Sequence, residues 1–526
     1  MSQASYIQDM LSDSASDQAT GPSEVASFYA HTNILLTGGA GFLGKLLTER
    51  ILRSCPEVST LFLLLRAKKG KSPQERFAEL FDDLIFDRLK KEKPGFARKV
   101  RLIEGDVGEI GLGLAPEQRE LLRTTNIVIH GAATVRFDES VRIATKINVR
   151  GTKEMLILAK EMPNLRAFVH ISTAYSNCVR ESIDEKFYPP PIDSDKLLDL
   201  VEILDDASLE HLTPVLLGKY PNTYVFTKAV AEDVIRRNSH SLPVCIVRPS
   251  IVIATYKEPI AGWIDNVYGP TGVVLGAAIG LLRTLHCDPE GIADMIPADF
   301  VVNNIIVAAW DIAEARTTNV NNAYSSKIPE TDEPPIYNVV SSCQKPFRWG
   351  EFMRQIEEYG LKVPSMMCIW YYCFKLNKYE SVHKIYVIFL HLLPALIVDS
   401  VARIIGREPM LWKAYKKIHK FSAVISYFAT RQWRFSNNGV LRLSAKLNPA
   451  DQNQFKLNMK DFSWEEFNYN SVRGGRVYLL KDPLDTIPKA AVRYARLRII
   501  HYAVVTVMWG MIFWLLWTLV RFLGLW

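Results

Sequence analysis

The stretch NILLTGGAGFLGKLLTERILRSC (33–55) constrains this chain more than any other. Asn33–Thr37 is a short apolar run of the buried-strand kind, and Lys45–Arg53 has helical period. Between them Gly38, Gly41 and Gly44 are spaced as TGxxGxxG. The first glycine permits a tight turn, the second lets backbone approach a pyrophosphate, and the third lets helix pack closely on strand. The helix N-terminus adds free N–H groups and the positive end of a dipole. A glycine pattern alone is weak. Strand, glycines and helix in this order predict a dinucleotide-binding turn formed by Thr37, Gly38, Gly41, Phe42, Leu43 and Gly44.

Further strands follow. TLFLLLR (60–66) ends in Arg66, with Lys68, Lys69 and Lys71 just beyond. A cofactor without a 2′-phosphate is usually held by Asp or Glu at this strand end. A cation here suits the extra phosphate of NADPH; the alternative is a solvated basic loop. VRLIEGDV (100–107) ends at Asp106 and Val107, placed beside an adenine, and NIVIHGAATVRF (126–137) carries the small Gly131, Ala132 and Ala133, against which a cofactor can lie. LRAFVHISTAYSN (165–177) ends on Ser172 and Thr173. Hydroxyls at a strand's carboxyl end face the crevice where such sheets bind ligands. The alternation of strand and helix predicts an α/β doubly wound parallel sheet.

YPNTYVFTKAVAEDVI (220–235) then places Tyr224 four residues before Lys228 on one helix. Residues i and i+4 face the same way on any helix, so the spacing arises often by chance. Chemistry becomes the better reading once the glycine turn and a strand-end hydroxyl precede it. Hydride delivery to a carbonyl leaves charge on oxygen that a proton must meet. A free tyrosine, with pKa near 10, is a reluctant donor. An ammonium one turn away is expected to bring it toward neutrality. Thr173, helped by Ser172, would hydrogen-bond the substrate oxygen.

These motifs, with NVRGT (148–152) and IVRPSIV (246–252), resemble the extended short-chain dehydrogenase/reductases. EPIAGWIDNVYGPTGVVLGAAIGLLR (258–283) and ADMIPADFVVNNIIVAAW (293–310) are similar in particular to fatty acyl-CoA reductases, and the likeness runs from about Ser27 to Asn470. The resemblance implies a Rossmann-like catalytic domain over 31–350 and a smaller helical C-terminal domain over 351–480. It also implies catalytic Tyr224, Lys228, Thr173 and Ser172, with Thr173 favoured over Ser172 for the hydroxyl role. Arg66, Asp106, Val107, Ala132, Ala133, Lys228 and Pro249 join the glycine turn around NADPH. The activity implied is reduction of long-chain acyl-CoA to alcohol and CoA through an aldehyde; the residues alone equally allow a stop at aldehyde. Where the family often has Thr in the glycine loop this chain has Ala40, also small. A sterol or nucleotide-sugar enzyme and a catalytically silent membrane scaffold stay open as alternatives.

Between Thr173 and Tyr224 the acidic, proline-marked 181–206 predicts an insertion of short helices, either a lid or docking face or a passive surface element. The apolar, small-residue stretch 269–285 reads either as a wall for a hydrocarbon or as a close-packed helix. Residues 384–399, interrupted by His391 and Pro394, are short for a span and are expected as a buried or membrane-lying hairpin, with a second membrane pass as the runner-up.

The run 499–520 has no Asp, Glu, Lys or Arg and as a helix would extend about 33 Å, enough to cross a bilayer core. A buried core helix is the other reading of such a run. Tyr502, Trp514, Trp517 and Trp526 suit its interfaces; Trp509 does not. Lys489, Arg493, Arg496 and Arg498 precede it and Arg521 follows, which predicts a single-pass tail anchor of the endoplasmic reticulum or peroxisome with the bulk of the chain in the cytosol. Residues 1–30 lack an apolar run and any Lys or Arg, and are expected as a flexible lead-in rather than a targeting signal.

A net charge of +7 spread along the chain argues against nucleic acid as a partner, and the lipid bilayer suits it better. Seven scattered cysteines without a CxxC pair predict a reducing compartment, and no structural zinc or other metal site is expected.

Overall fold

The computed structural model describes residues 21–321 and 333–522. Seven parallel strands form the central sheet: β1 (Asn33–Thr37), β2 (Thr60–Leu65), β3 (Val100–Glu104), β4 (Ile127–His130), β5 (Ala167–Ile171), β6 (Val244–Pro249) and β7 (Ile336–Val339). Their spatial order is β7-β6-β5-β4-β1-β2-β3. The order reverses between β1 and β4, so the carboxyl ends of these two strands open the crevice in which doubly wound sheets take ligands. Registry Thr37↔His130 sets the two strand ends level there. Near-continuous apolar strands such as TLFLLL are buried because helices cover both faces.

The helix after β1, α1 (Phe42–Ser54), begins at Gly41. Two glycines are required at this turn. Gly38 has φ +77°, and a Cβ on it would meet the backbone of Ala132 and Gly131 at 2.9 Å. A Cβ on Gly44 would stand 2.1 Å from the Gly38 carbonyl oxygen, so α1 could not approach the strand.

The insertion holds the helices Ser194–Ile203 and Asp206–Leu217, which bury Leu197, Leu198, Val201 and Leu209. Its start, Ser182–Ile183, pairs with Arg434–Phe435 from the C-terminal part. After β7 the strand–helix alternation gives way to helices, as the resemblance implies.

Two expectations are corrected. The lead-in is folded from Glu24 to Tyr29: Val25 and Tyr29 are fully buried, and the Asp451 carboxylate accepts the Glu24 and Val25 N–H groups. Val25, Phe28 and Tyr29 sit at i, i+3 and i+4, an apolar face that averaging over thirty polar residues conceals. Residues 1–20 lie outside the described residues. Second, 384–399 is no hairpin in itself but the middle of one continuous helix over Glu380–Ile404. Pro394 is accommodated in the turn after a π-helical step at Ile388–Leu392, where the wider winding relieves its missing N–H.

The reversal comes later. The helix α3 (Leu411–Ala429) returns beside Glu380–Ile404; His391 bonds His419, and Asp399 accepts the N–H groups of Leu411 and Trp412. The last helix, α4 (Ile487–Phe522), buries only Ala490. Its first half is held by Trp370, whose indole donates to His501, and by Tyr371, packed on Tyr494 and Tyr502. Glu380–Ile404 and Leu484–Phe522 are both long and apolar enough to cross a membrane. Tyr502, Trp509, Trp514 and Trp517 are exposed on α4; Trp526 lies outside the described residues.

Candidate active site

A cavity of about 670 Å³ opens at the carboxyl ends of the strands. It collects Gly38, Gly41, Phe42, Leu43, Gly44, Arg66, Asp106, Val107, Ala132, Ala133, Ser172, Thr173, Tyr224, Lys228 and Pro249. These residues span over two hundred positions in sequence, and the parallel sheet brings them together.

Thr37 is the exception. It is fully buried, and its hydroxyl donates to His130 Nδ1 (2.8 Å) and accepts the Ala132 N–H (3.1 Å). Thr152 completes the chain, since its own proton goes to the Asn148 carbonyl and leaves its oxygen to accept from His130 Nε2 at 3.3 Å. Thr37 therefore ties the glycine turn to the β4 end and touches no ligand space. Its register at the last buried position of β1 decides this.

The cationic wall is more built than the sequence suggests. Arg66 pairs with Asp106 (2.9 Å), and Arg76, from the helix Pro73–Leu80, donates to the Arg66 carbonyl (2.6 Å). Lys68 and Arg76 both line the cavity. Burial and then neighbouring cations lower the pKa of each, Lys68 through Arg76, Arg66 and Lys69, and Arg76 through Arg66. Positive groups that repel one another beside a cavity favour an anion there. Asp106 Oδ1 also accepts the Gly108 N–H, which fixes the turn after β3.

Tyr224 and Lys228 lie on α2 (Thr223–Asn238), which starts at the Asn222 cap. Burial pushes the Tyr224 phenol up to about 12, and a hydrogen bond with Thr173 offsets part of the rise. Burial pushes Lys228 down to about 8, and Glu232 opposes that shift. The ammonium donates to the Ile171 carbonyl at 2.7 Å. The expected shift of Tyr224 toward neutrality meets the opposite effect of burial, which raises the phenol, and Thr173 opposes that rise.

The two strand-end hydroxyls separate. Ser172 donates to the Glu232 carboxylate at 2.6 Å, while Thr173 accepts the Tyr175 N–H and makes a long 3.4 Å bond to the Pro249 carbonyl. Ser172 is committed; Thr173 is the hydroxyl beside Tyr224. Sequence reasoning passed over Glu232, although Tyr224, Lys228 and Glu232 recur every four residues along one helix face. It also passed over Phe137, which packs on Tyr224 and on Phe428 of α3, and no local pattern announces that contact.

Another part of the wall is apolar, beside the polar Ser250, Asp265 and Asn266: Pro270 and Val273 from the helix Pro270–Ala278, Leu285, Leu376, and Ile425, Phe428 and Ala429 from α3. Cys287 stands among them, its thiol pushed well up by burial and then by Asp288.

Comparison with known proteins agrees. A family model described as male sterility protein, of NAD-binding type, matches residues 36–305, and a second model of the same description matches 390–482. Fatty acyl-CoA reductase wat of Drosophila melanogaster is 40% identical over 500 residues, 95% of this chain and 94% of that one. The chain belongs to the fatty acyl-CoA reductase family. Fatty acyl-CoA reductase 1 of Mus musculus is 37% identical over 493 residues, 92% of each chain. Among solved structures, the reductase domain of a nonribosomal peptide synthetase from Mycobacterium tuberculosis superposes with TM-score 0.52 at 18% identity, over 91% of this reductase and 97% of that domain, a likeness of fold. The reductase is therefore an oxidoreductase with a nicotinamide cofactor. The dinucleotide fits its residues: Gly38, Gly41, Phe42, Leu43 and Gly44 line the cavity at the α1 N-terminus, the helix end that favours a pyrophosphate.

Proposed function

We propose that the reductase takes long-chain acyl-CoA to primary alcohol and free CoA, with NADPH as reductant. One observation carries this reading: a single cavity joins a cationic wall, a tyrosine–threonine–lysine group and an apolar wall. Two successive NADPH molecules, each held by the glycine turn with Arg66, Lys68 and Arg76 at the 2′-phosphate, would each supply one hydride, the first to the thioester, whose hemithioacetal releases CoA and aldehyde, the second to the aldehyde.

The protein's own groups do the rest. Tyr224 donates its proton to the oxygen that gains charge, and Thr173 holds that oxygen. Lys228 stays an ammonium near neutral pH and supplies the positive charge behind the pair. No acyl-cysteine is required, since Cys287 is held as a neutral thiol. Incubation with labelled palmitoyl-CoA and NADPH tests the whole. Alcohol supports the reading, accumulation of aldehyde limits it to the first reduction, and an untouched thioester overturns it.

The cofactor assignment has its own test. Arg76→Ala should weaken NADPH about tenfold or more while NADH changes little, because a hydrogen bond to a charged group is worth about 1.5–3 kcal/mol. Equal loss for both cofactors would place Arg76 elsewhere.

α4 is read as a tail anchor with the catalytic part in the cytosol, and its exposed apolar length supports this. Glu380–Ile404 and α3 are read as a hairpin lying in the facing leaflet. Ile388, Phe389, Leu396, Ile397, Val401 and Ile404 are exposed, while Lys413, Lys416, Lys417 and Lys420 on α3 suit phosphate headgroups rather than bilayer core. Its returning leg ends at the cavity wall. Leu396→Glu/Ile397→Glu should raise KM several-fold for a membrane-dissolved acyl-CoA and leave a short, water-soluble thioester unaffected; equal effects on both would refute the leaflet placement.

A further inference from the structure

We infer that Glu232 is a positioning residue of this active site: its carboxylate locks the β5 end that presents Thr173 and stands one helical turn beyond Lys228 on the same helix. The inference rests on the proton-donor reading of Tyr224 given above.

Glu232 is 3% exposed and Arg248, its partner, 0%. Four donors converge on the carboxylate. Ser172 Oγ (2.6 Å), Ser176 Oγ (3.0 Å) and Arg248 Nε (2.8 Å) reach Oε1, and Arg248 Nη2 (2.6 Å) reaches Oε2. A buried carboxylate accepts only, and here its acceptor sites are filled from two other parts of the chain. The serines belong to the segment just after β5 and flank Thr173; Arg248 belongs to β6. The side chain thus ties α2 to the segment carrying Thr173, one turn beyond Lys228.

Arg248 carries the link outward. Its Nη1 donates to the Asp184 carbonyl and its Nη2 to the Lys186 carbonyl, each at 3.0 Å. The insertion between Thr173 and Tyr224 is therefore pinned to the same ion pair.

The charged surroundings of Lys228 are few. Glu232 faces it from its own helix, His130 from β4 and His170 from β5, with Arg248 of β6 behind Glu232. Both histidines are held neutral, first by burial and then by Lys228 itself. Glu232 is the one group that raises the Lys228 pKa against burial. A lysine pushed down to about 8 titrates within an ordinary assay range, so loss of the Glu232 charge is visible in a rate profile.

The experiment uses full-length enzyme in lipid vesicles and measures kcat for palmitoyl-CoA reduction against pH at saturating NADPH. Wild type should lose activity as pH rises through about 8, where the ammonium is lost. In Glu232→Gln that basic limb should move about one unit lower. The rate at pH 8 then falls about five- to tenfold, with NADPH affinity unchanged, because the Lys228 proton is lost earlier. A merely structural role would lower the melting temperature and leave the limb in place. Glu232→Gln leaves Arg248 buried and alone, so Glu232→Gln/Arg248→Gln, which removes both charges, is measured beside it, and its limb should move in the same direction by less. An active, folded variant with the wild-type limb overturns the inference alone. A wild-type enzyme that reduces no thioester overturns the functional reading and this inference with it.

Discussion

Replacing Tyr224 with Phe is expected to lower turnover of palmitoyl-CoA about 10²- to 10⁴-fold, the range that a positioned general acid contributes. The substitution removes one oxygen and keeps the ring. Its packing on Phe137 at 5.8 Å survives, and so does the start of α2 at the Asn222 cap. The glycine turn and the cationic wall lie on other elements, so NADPH binding, followed by fluorescence, should stay within twofold or so of wild type on this argument. Loss of turnover with retained cofactor binding assigns the proton to Tyr224. Turnover near wild type would move the acid elsewhere and dismantle the mechanism. Loss of both would mean that α2 has shifted, and a melting curve would show it.

The second large effect is on stability. Arg248→Met should cost about 3–5 kcal/mol, the usual result of removing one partner from a buried ion pair. Arg248 is fully buried, and without it Glu232 keeps only the two serine donors, the Lys186 carbonyl loses the Arg248 donor and the Asp184 carbonyl keeps the Lys186 N–H. Denaturant titration of the vesicle-free, detergent-held enzyme would read the loss as a lower midpoint. A midpoint within about 0.5 kcal/mol of wild type, the spread of an ordinary surface change, would show that the pair is not a keystone of the fold. Arg248→Lys should recover little, because a lysine cannot present the fork that meets Glu232 through Nε and Nη2 together.

Legibility differed from residue to residue for physical reasons. Gly38 and Gly44 could be read from spacing because steric demands at a strand–turn–helix are local, and the clash distances a Cβ would meet restate them. Tyr224 and Lys228 were readable as a pair because helical period places i and i+4 together. For Thr37 the same local pattern does not say which way the hydroxyl turns. That depended on His130, ninety-three residues away, arriving on the neighbouring strand. Ser172 and Thr173 are neighbours with the same chemistry, and strand alternation alone could not rank them. The Glu232 carboxylate did, by claiming Ser172.

The chain's sequence by itself determined the parallel α/β class, the glycine turn, the placing of Tyr224 and Lys228 on one helix face and an apolar tail, since each rests on contacts within a few residues or on periodicity. Only the tertiary structure decided which hydroxyl faces Tyr224, that burial raises its phenol, and that α3 closes the apolar wall. It also decided that a buried carboxylate ties these parts together. Those outcomes depend on side chains brought together from distant segments, and the balance between burial and a charged neighbour exists only once the chain has folded.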